Sequence, residues 1–140
     1  MSVYVVDDSV AAQWFLEEAS SNAAVRLLKD GHWLHAPDFL LIEIDSVISK
    51  RIRRKEISEK EGRRVRTAFR QFPIQCHNFL SLLDPAYEIA ISTSQAIYDC
   101  LYVALAAQLD APMVTADRRL YAGLANGPFA RYLLWVQDIT

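Results

Sequence analysis

The chain has 140 residues, 52% of them hydrophobic, enough for one well-buried core and too few for two comfortable domains. Its formal charge of −2 conceals a strong polarity: ten of the fifteen Lys and Arg residues lie between Lys50 and Arg70, opposed there only by Glu56, Glu59 and Glu61, so that window carries +7 and the remainder −9. Two cysteines, Cys76 and Cys100, give no disulfide framework, no basic leader precedes the first apolar run, and no uncharged apolar stretch approaches the ~18 residues of a membrane span, which together predict a cytoplasmic protein.

The β-branched run Ser2–Val6 reads as a buried strand, with Asp7 at its carboxyl end. A helix is expected over 9–18, where Val10, Ala11, Trp14, Phe15 and Leu16 make an apolar stripe, and a second over 20–29, stopped by Gly31. Residues 33–35 suit a brief strand ended before Pro37. Asp38 is placed to cap a long helix reaching about Arg54, in which Phe39, Leu40, Ile44, Val47, Ile48 and Ile52 recur at helical spacing around Glu43. Ser58 followed by Glu61 has the spacing of a capping box for the next helix, which Pro73 closes, and 74–76 is a candidate strand. Asp84 and Pro85 suit the cap and first position of a helix reaching about Ser94. Residues 98–108 form a nearly all-apolar helix interrupted by Asp99. A strand over 112–115, a short helix over 117–124 and a last strand over 131–136 complete the chain. Strands alternating with helices predict an α/β fold over 1–140, one domain with a central, mainly parallel sheet flanked by helices.

Ligands of open parallel sheets gather beyond the carboxyl ends of the strands, and both Asp7 and Asp117 fall at that edge. Either aspartate alone is better explained as an N-cap. Glu43 and Asp99 are harder to explain, because a carboxylate ionised inside an apolar helix needs a partner; a salt bridge to an Arg is the competing account. Carboxylates converging on one cleft repel one another and are tolerated mainly when a divalent cation or a shared proton neutralises them. Metal-dependent phosphate chemistry is therefore the leading expectation.

The segments VVDDSVAAQWFL, APDFLLIEIDSVISKRIRRKEIS and IYDCLYVALAAQLDAPMVTADRRL resemble, in order and spacing, the PIN domain, specifically the VapC-like toxin ribonucleases of bacterial toxin–antitoxin pairs. YDCLYVALA followed by VTADRRL is the most specific part. The resemblance implies that Asp7, Glu43, Asp99 and Asp117 are the catalytic acids and hold Mg²⁺ or Mn²⁺, which would activate water for in-line attack on an RNA phosphodiester. It makes Ser9 and Thr115 donors to those carboxylates, and implies an RNA substrate and a small antitoxin that occludes the cleft; separately, the apolar surplus of the first and third expected helices favours a homodimer. Three neighbours depart from the pattern: Asp8 where a small neutral residue is usual, Ser46 where Asn is common, and Ala96 in place of Thr or Ser. Asp8 and Asp45 are extra acids, expected on a solvated face or in caps.

The basic window offers Arg53, Arg54 and Arg63 as contacts to RNA or antitoxin; its plainer account is a solvated helical face carrying Glu56–Lys60 and Glu59–Arg63 pairs. Cys76 and His77 are adjacent, but His32 and His35 supply no matching pair at zinc spacing. None of the four glycines sits in a phosphate-cradling loop. Two other readings compete: a PIN-fold binding protein without catalysis, and a receiver-like signalling domain built on the Asp7–Asp8 pair, which lacks the late Lys such a domain needs.

Overall fold

A computed structural model describes residues 2–14, 24–28 and 31–139. Its strands are β1 (Ser2–Val6), β2 (His32–Pro37), β3 (Ile74–His77), β4 (Met113–Thr115) and β5 (Leu133–Trp135), all parallel, in the spatial order β3-β2-β1-β4-β5. Parallel neighbours cannot be joined by tight hairpins. The crossovers carry α1 (Asp8–Ala11), α2 (Leu40–Arg53), α3 (Glu59–Arg70), α4 (Leu80–Thr93), α5 (Ile97–Leu109) and α6 (Arg118–Leu124). The α/β sheet anticipated from the alternation of elements is the one observed.

From β1 the chain builds outward to β2 and β3, then returns through α4 and α5 to the other side of β1 for β4 and β5. The direction of winding thus reverses between β1 and β4, and the carboxyl ends of those two strands flank a crevice. Beneath it lies α5, buried without interruption from Cys100 to Ala106 and packed against α4, β1 and β2. A helix apolar all round belongs in the interior, and each Leu-sized side chain it buries contributes about 1.5–3 kcal/mol.

Several boundaries differ from expectation. The helix expected over 9–18 is short: α1 gives way at once to a 3₁₀ turn, Ala12–Trp14, and residues 15–18 lie outside the described residues. Of the helix expected over 20–29, only 24–28 are described, and Arg26–Leu28 form a 3₁₀ turn. Strand β2 extends through Pro37, which pairs in register with His77 at the strand end. Asp38 does not cap α2. Its Oδ1 accepts the backbone N–H of Phe79 at 3.0 Å, so the carboxylate serves the start of α4 instead, while α2 begins after Phe39 with no side-chain cap.

Helix α4 begins four residues before Asp84, at Leu80, whose N–H is taken by Asn78 Oδ1 at 2.8 Å. Pro85 therefore sits inside the helix. The bond it deletes would have gone to the Ser81 carbonyl, and both residues are exposed, so water can take that bond. The capping box of α3 is complete, with Ser58 Oγ accepting Glu61 N–H at 3.0 Å and Glu61 Oε1 accepting Ser58 N–H at 3.3 Å. Helices α2 and α3 meet at Gly62, where a Cβ would stand 2.6 Å from Ile52 Cδ1. Among the described residues no single helix is long and apolar enough to cross a membrane.

Candidate active site

Asp7 leaves the end of β1 only 3% exposed. Keeping a carboxylate ionised that far from water costs several kcal/mol unless it is hydrogen-bonded, and charge-assisted bonds return about 1.5–3 kcal/mol each. Three such bonds are present: Ser9 Oγ donates to Oδ1 at 2.5 Å, Thr115 Oγ1 to Oδ2 at 2.5 Å, and Val10 N–H to Oδ1 at 3.2 Å. The hydroxyls are themselves held, because Ser9 Oγ accepts Ala116 N–H at 2.9 Å and Thr115 Oγ1 accepts Asp117 N–H at 3.0 Å. These bonds join the ends of β1 and β4 across the crevice.

Asp7 is also the N-cap of α1, and Asp117 that of α6, accepting the N–H groups of Arg119 and Leu120 at 3.0 and 3.1 Å. The capping account is thus correct for both residues, which also stand at the carboxyl edge of the sheet. Glu43 and Asp99 were singled out as acids inside apolar helices. Each occupies the first turn of its helix, α2 or α5, half-buried at the end where the backbone dipole favours an anion by about 0.3–1 kcal/mol. Tyr102, one turn along α5 from Asp99, donates a short hydrogen bond to Glu43 Oε1 and so ties α5 to α2. Among the described residues neither acid has an ion-pair partner within 4 Å, which leaves the salt-bridge account without support; Arg119 acts on Asp99 only at longer range.

Burial, and then the charge of Asp8, pushes the Asp7 carboxyl up to about 7 against the pull of its hydrogen bonds. Glu43 is pushed up to about 8 by burial and then Asp8, with Asp7 and Asp99 adding to the effect and the Tyr102 bond opposing it. Asp99 rises to about 6 through burial, Asp8 and Asp117, with Arg119 opposing. Asp8 is raised as well, by burial and Asp117. It was expected on a solvated face or in a cap. The structure makes it the acid that acts on all three neighbours, half-buried at the first position of α1. Its place beside Asp7 at a helix start was the signal available in the sequence.

The donors gathered here are all oxygens, the kind that hard divalent cations prefer. In kind they fit such an ion. Among the described residues no three of them stand close enough to close on one ion, so binding requires the side chains to draw together. Beside the acids opens a cavity of about 370 Å³ lined by Asp8, Glu43, Ser46, Lys50 and Tyr98, with Tyr98 stacked on Phe39 at 5.3 Å. A wider cavity, about 500 Å³, lies at the opposite end of the strands between Gly31 and Gln75 and has no carboxylate among its described lining residues.

The basic window is only partly free. Arg66 and Arg70 reach Asp45 at 2.8 and 3.8 Å, so Asp45 is an ion-pair partner rather than a lone solvated acid. Glu56 pairs with Arg51 at 3.6 Å instead of Lys60, since it lies in the bend before α3 rather than on the helix. Arg53 donates to Ser49 Oγ at 3.3 Å, Arg54 ends α2, and Arg63 lines the groove between α2 and α3. His77 does find a histidine partner: its Nε2 lies 2.8 Å from His35 Nδ1 across β2 and β3. Strand register, which the sequence does not display, creates that pair, and no third ligand joins it among the described residues.

Comparison with known proteins places these features in a lineage. The chain is 29% identical over 118 residues to ribonuclease VapC3 of Pyrobaculum aerophilum, covering 83% of this chain and 90% of that protein. It is 32% identical over 116 residues to ribonuclease VapC9 of Mycobacterium tuberculosis, covering 83% and 87%. A toxin–antitoxin complex from Klebsiella pneumoniae contains a chain of the same fold, with a TM-score of 0.65 at 12% identity over 99% of this chain and 100% of that one. The PIN domain model matches residues 4–123, a span that begins in β1, ends in α6 and takes in every acid described above, and the chain belongs to the PIN-domain family.

Proposed function

We propose that this chain is a metal-dependent endoribonuclease, hydrolysing RNA phosphodiester bonds as the toxin of a toxin–antitoxin pair. The observation that carries the reading is Asp7: buried at the point where the sheet reverses, fixed by two hydroxyls and a backbone N–H, and surrounded by acids with no paired cation among the described residues. The relatives named as ribonucleases and the toxin–antitoxin complex of like fold support the same activity and a cognate antitoxin.

In this reading Asp7, Glu43, Asp99 and Asp117 are the catalytic acids and hold Mg²⁺ or Mn²⁺, with Asp7 and Asp99 as direct ligands. The ion supplies a lowered water pKa and offsets charge on the phosphate. Ser9 and Thr115 each donate to one oxygen of Asp7, which sets the plane of the carboxylate and, with Val10 N–H also on Oδ1, leaves one lone pair of Oδ2 for a ligand. Tyr102 fixes Glu43 by a bond to Oε1 alone. Arg53, Arg54 and Arg63 draw the RNA backbone toward the cleft or receive the antitoxin, which covers the acids and inserts a basic side chain among them. Leu80, Leu83, Tyr87 and Ile91 form an exposed apolar stripe along α4, the surface a second copy would cover in a cytoplasmic homodimer.

The test maps cleavage of cellular RNA by the wild-type chain and by Asp99→Asn, with and without Mg²⁺ or Mn²⁺. Thermal melts of both proteins across an ion titration report binding independently of activity. Discrete cleavage that needs the ion and vanishes with Asp99→Asn is expected. Equal cleavage by both proteins would overturn the mechanism.

A further inference from the structure

Next to the acids stands a group of side chains that the catalytic reading leaves unused. Trp135 ends β5 in register with Thr115 of β4, the residue that holds Asp7. Parallel neighbours lie roughly 4.8 Å apart and residues in register project from the same face, so Trp135 shares a face of the sheet with Thr115, one strand over at the backbone. Tyr121 meets the indole edge-to-face at 5.5 Å, and the Arg118 guanidinium lies over its ring at 5.4 Å. Arg118 directly follows Asp117, and α6 brings Tyr121 round one turn later. Arg118, Tyr121 and Trp135 line, with Ala122 and Asp138, an open cavity of about 430 Å³, within the size range of small-ligand pockets.

Two aromatic rings and an exposed guanidinium are the parts of a single-strand nucleic-acid platform, in which a base stacks on the indole and the cation takes the adjoining phosphate. Structural economy does not require this arrangement. Trp135 and Tyr121 are both partly exposed, Arg118 has no carboxylate within 4 Å among the described residues, and the indole N–H reaches only Gln137 Oε1, at 3.4 Å. We propose that Trp135, Tyr121 and Arg118 form a base-stacking subsite for a nucleotide of single-stranded RNA adjoining the bond to be cut. The base lies against the indole, and Arg118, exposed and free to turn from the ring, contacts the phosphate between that nucleotide and the acids. The inference rests on the ribonuclease reading and adds to it the place where the strand is held.

The experiment measures binding of a labelled single-stranded RNA to the full chain carrying Asp99→Asn, which keeps the strand uncut. Adding Trp135→Leu raises Kd roughly 5- to 100-fold, the range for loss of one stacked base, and Trp135→Phe recovers most of the affinity. Arg118→Gln weakens binding less and flattens its salt dependence. Scanning an abasic nucleotide along the RNA reveals one position whose base matters to the Trp135 protein and not to Trp135→Leu. A Kd unmoved by Trp135→Leu and Arg118→Gln, no such abasic position, or no RNA binding at all each overturns the subsite. If Trp135→Leu fails to fold by circular dichroism, Arg118→Gln and the abasic scan of the parent decide alone, since Arg118 lies outside the core. Failure of the ribonuclease reading has a separate signature: no metal-dependent cleavage by the wild-type chain.

Discussion

Asp7 illustrates how far a single residue can be read before its surroundings are known. Its position after a strand was legible, and so was its fitness as a cap; that the capping carboxylate would also be sealed by hydroxyls from residues 9 and 115 was not. The Thr115 bond depends on which strands become neighbours. Replacing Asp7 separates two roles of the carboxylate. Asp7→Asn should abolish metal-dependent cleavage and yet stabilise the ion-free protein at pH 8 by up to a few kcal/mol in denaturant melts, because the amide has no charge to hold out of water. A destabilised Asp7→Asn at pH 8 would show that the hydrogen bonds outweigh burial. Tyr102 was missed altogether. It lies at i+3 from Asp99, on the same helical face, but an apolar helix gives no sign that one of its aromatics carries the bond that orients Glu43. Tyr102→Phe should raise the pH at which cleavage reaches half its maximum, since the bond lowers the Glu43 carboxyl; an unshifted pH profile would remove Tyr102 from the machinery.

At the scale of elements, a signal whose own residues complete both of its bonds held, and two that met a competitor for the same role did not. The Ser58–Glu61 capping box is self-contained, both bonds lying within four residues, and it formed as expected. Ser58→Ala should therefore cost about 1 kcal/mol of stability in urea melts and leave RNA cleavage unchanged. Asp38 and Asp84–Pro85 looked like equally good starts for helices. Asp38 was drawn away by the Phe79 N–H, 41 residues on, and α4 overran Pro85 because Asn78 starts the helix upstream and the lost bond faces water. Glu43 and Asp99 were seen as misfits in apolar helices, but both stand in the first turn, where the helix amino terminus accommodates an acid.

For the whole molecule, the separation of charge along the chain becomes a separation in space only in part, since Asp45 and Glu56 occupy three of the arginines. Arg53→Glu combined with Arg54→Glu should weaken RNA binding and flatten its salt dependence; an unchanged slope would take these residues off the RNA path. The acidic pole sets the response to pH. Asp7, Glu43 and Asp99 hold their protons more tightly when folded than the ordinary 3.8 or 4.5 of the free side chains. Below about pH 4 both states are protonated and no stability is lost; as pH rises toward 8 the unfolded chain ionises first and the ion-free fold weakens. Melting temperatures of the ion-free protein should thus fall between pH 5 and 8, and Mg²⁺ or Mn²⁺ should recover more of the loss at pH 8 than at pH 5.

The bond from Thr115 to Asp7 spans 108 positions of the chain. Strand β1 leaves the ribosome long before β4, so the acid at the heart of the cleft lacks one of its two strand neighbours and its second hydroxyl until β4 has followed. Contacts of such long range also close late and slowly. A nuclease synthesised in the midst of RNA is thereby kept incomplete until its fourth strand has been made.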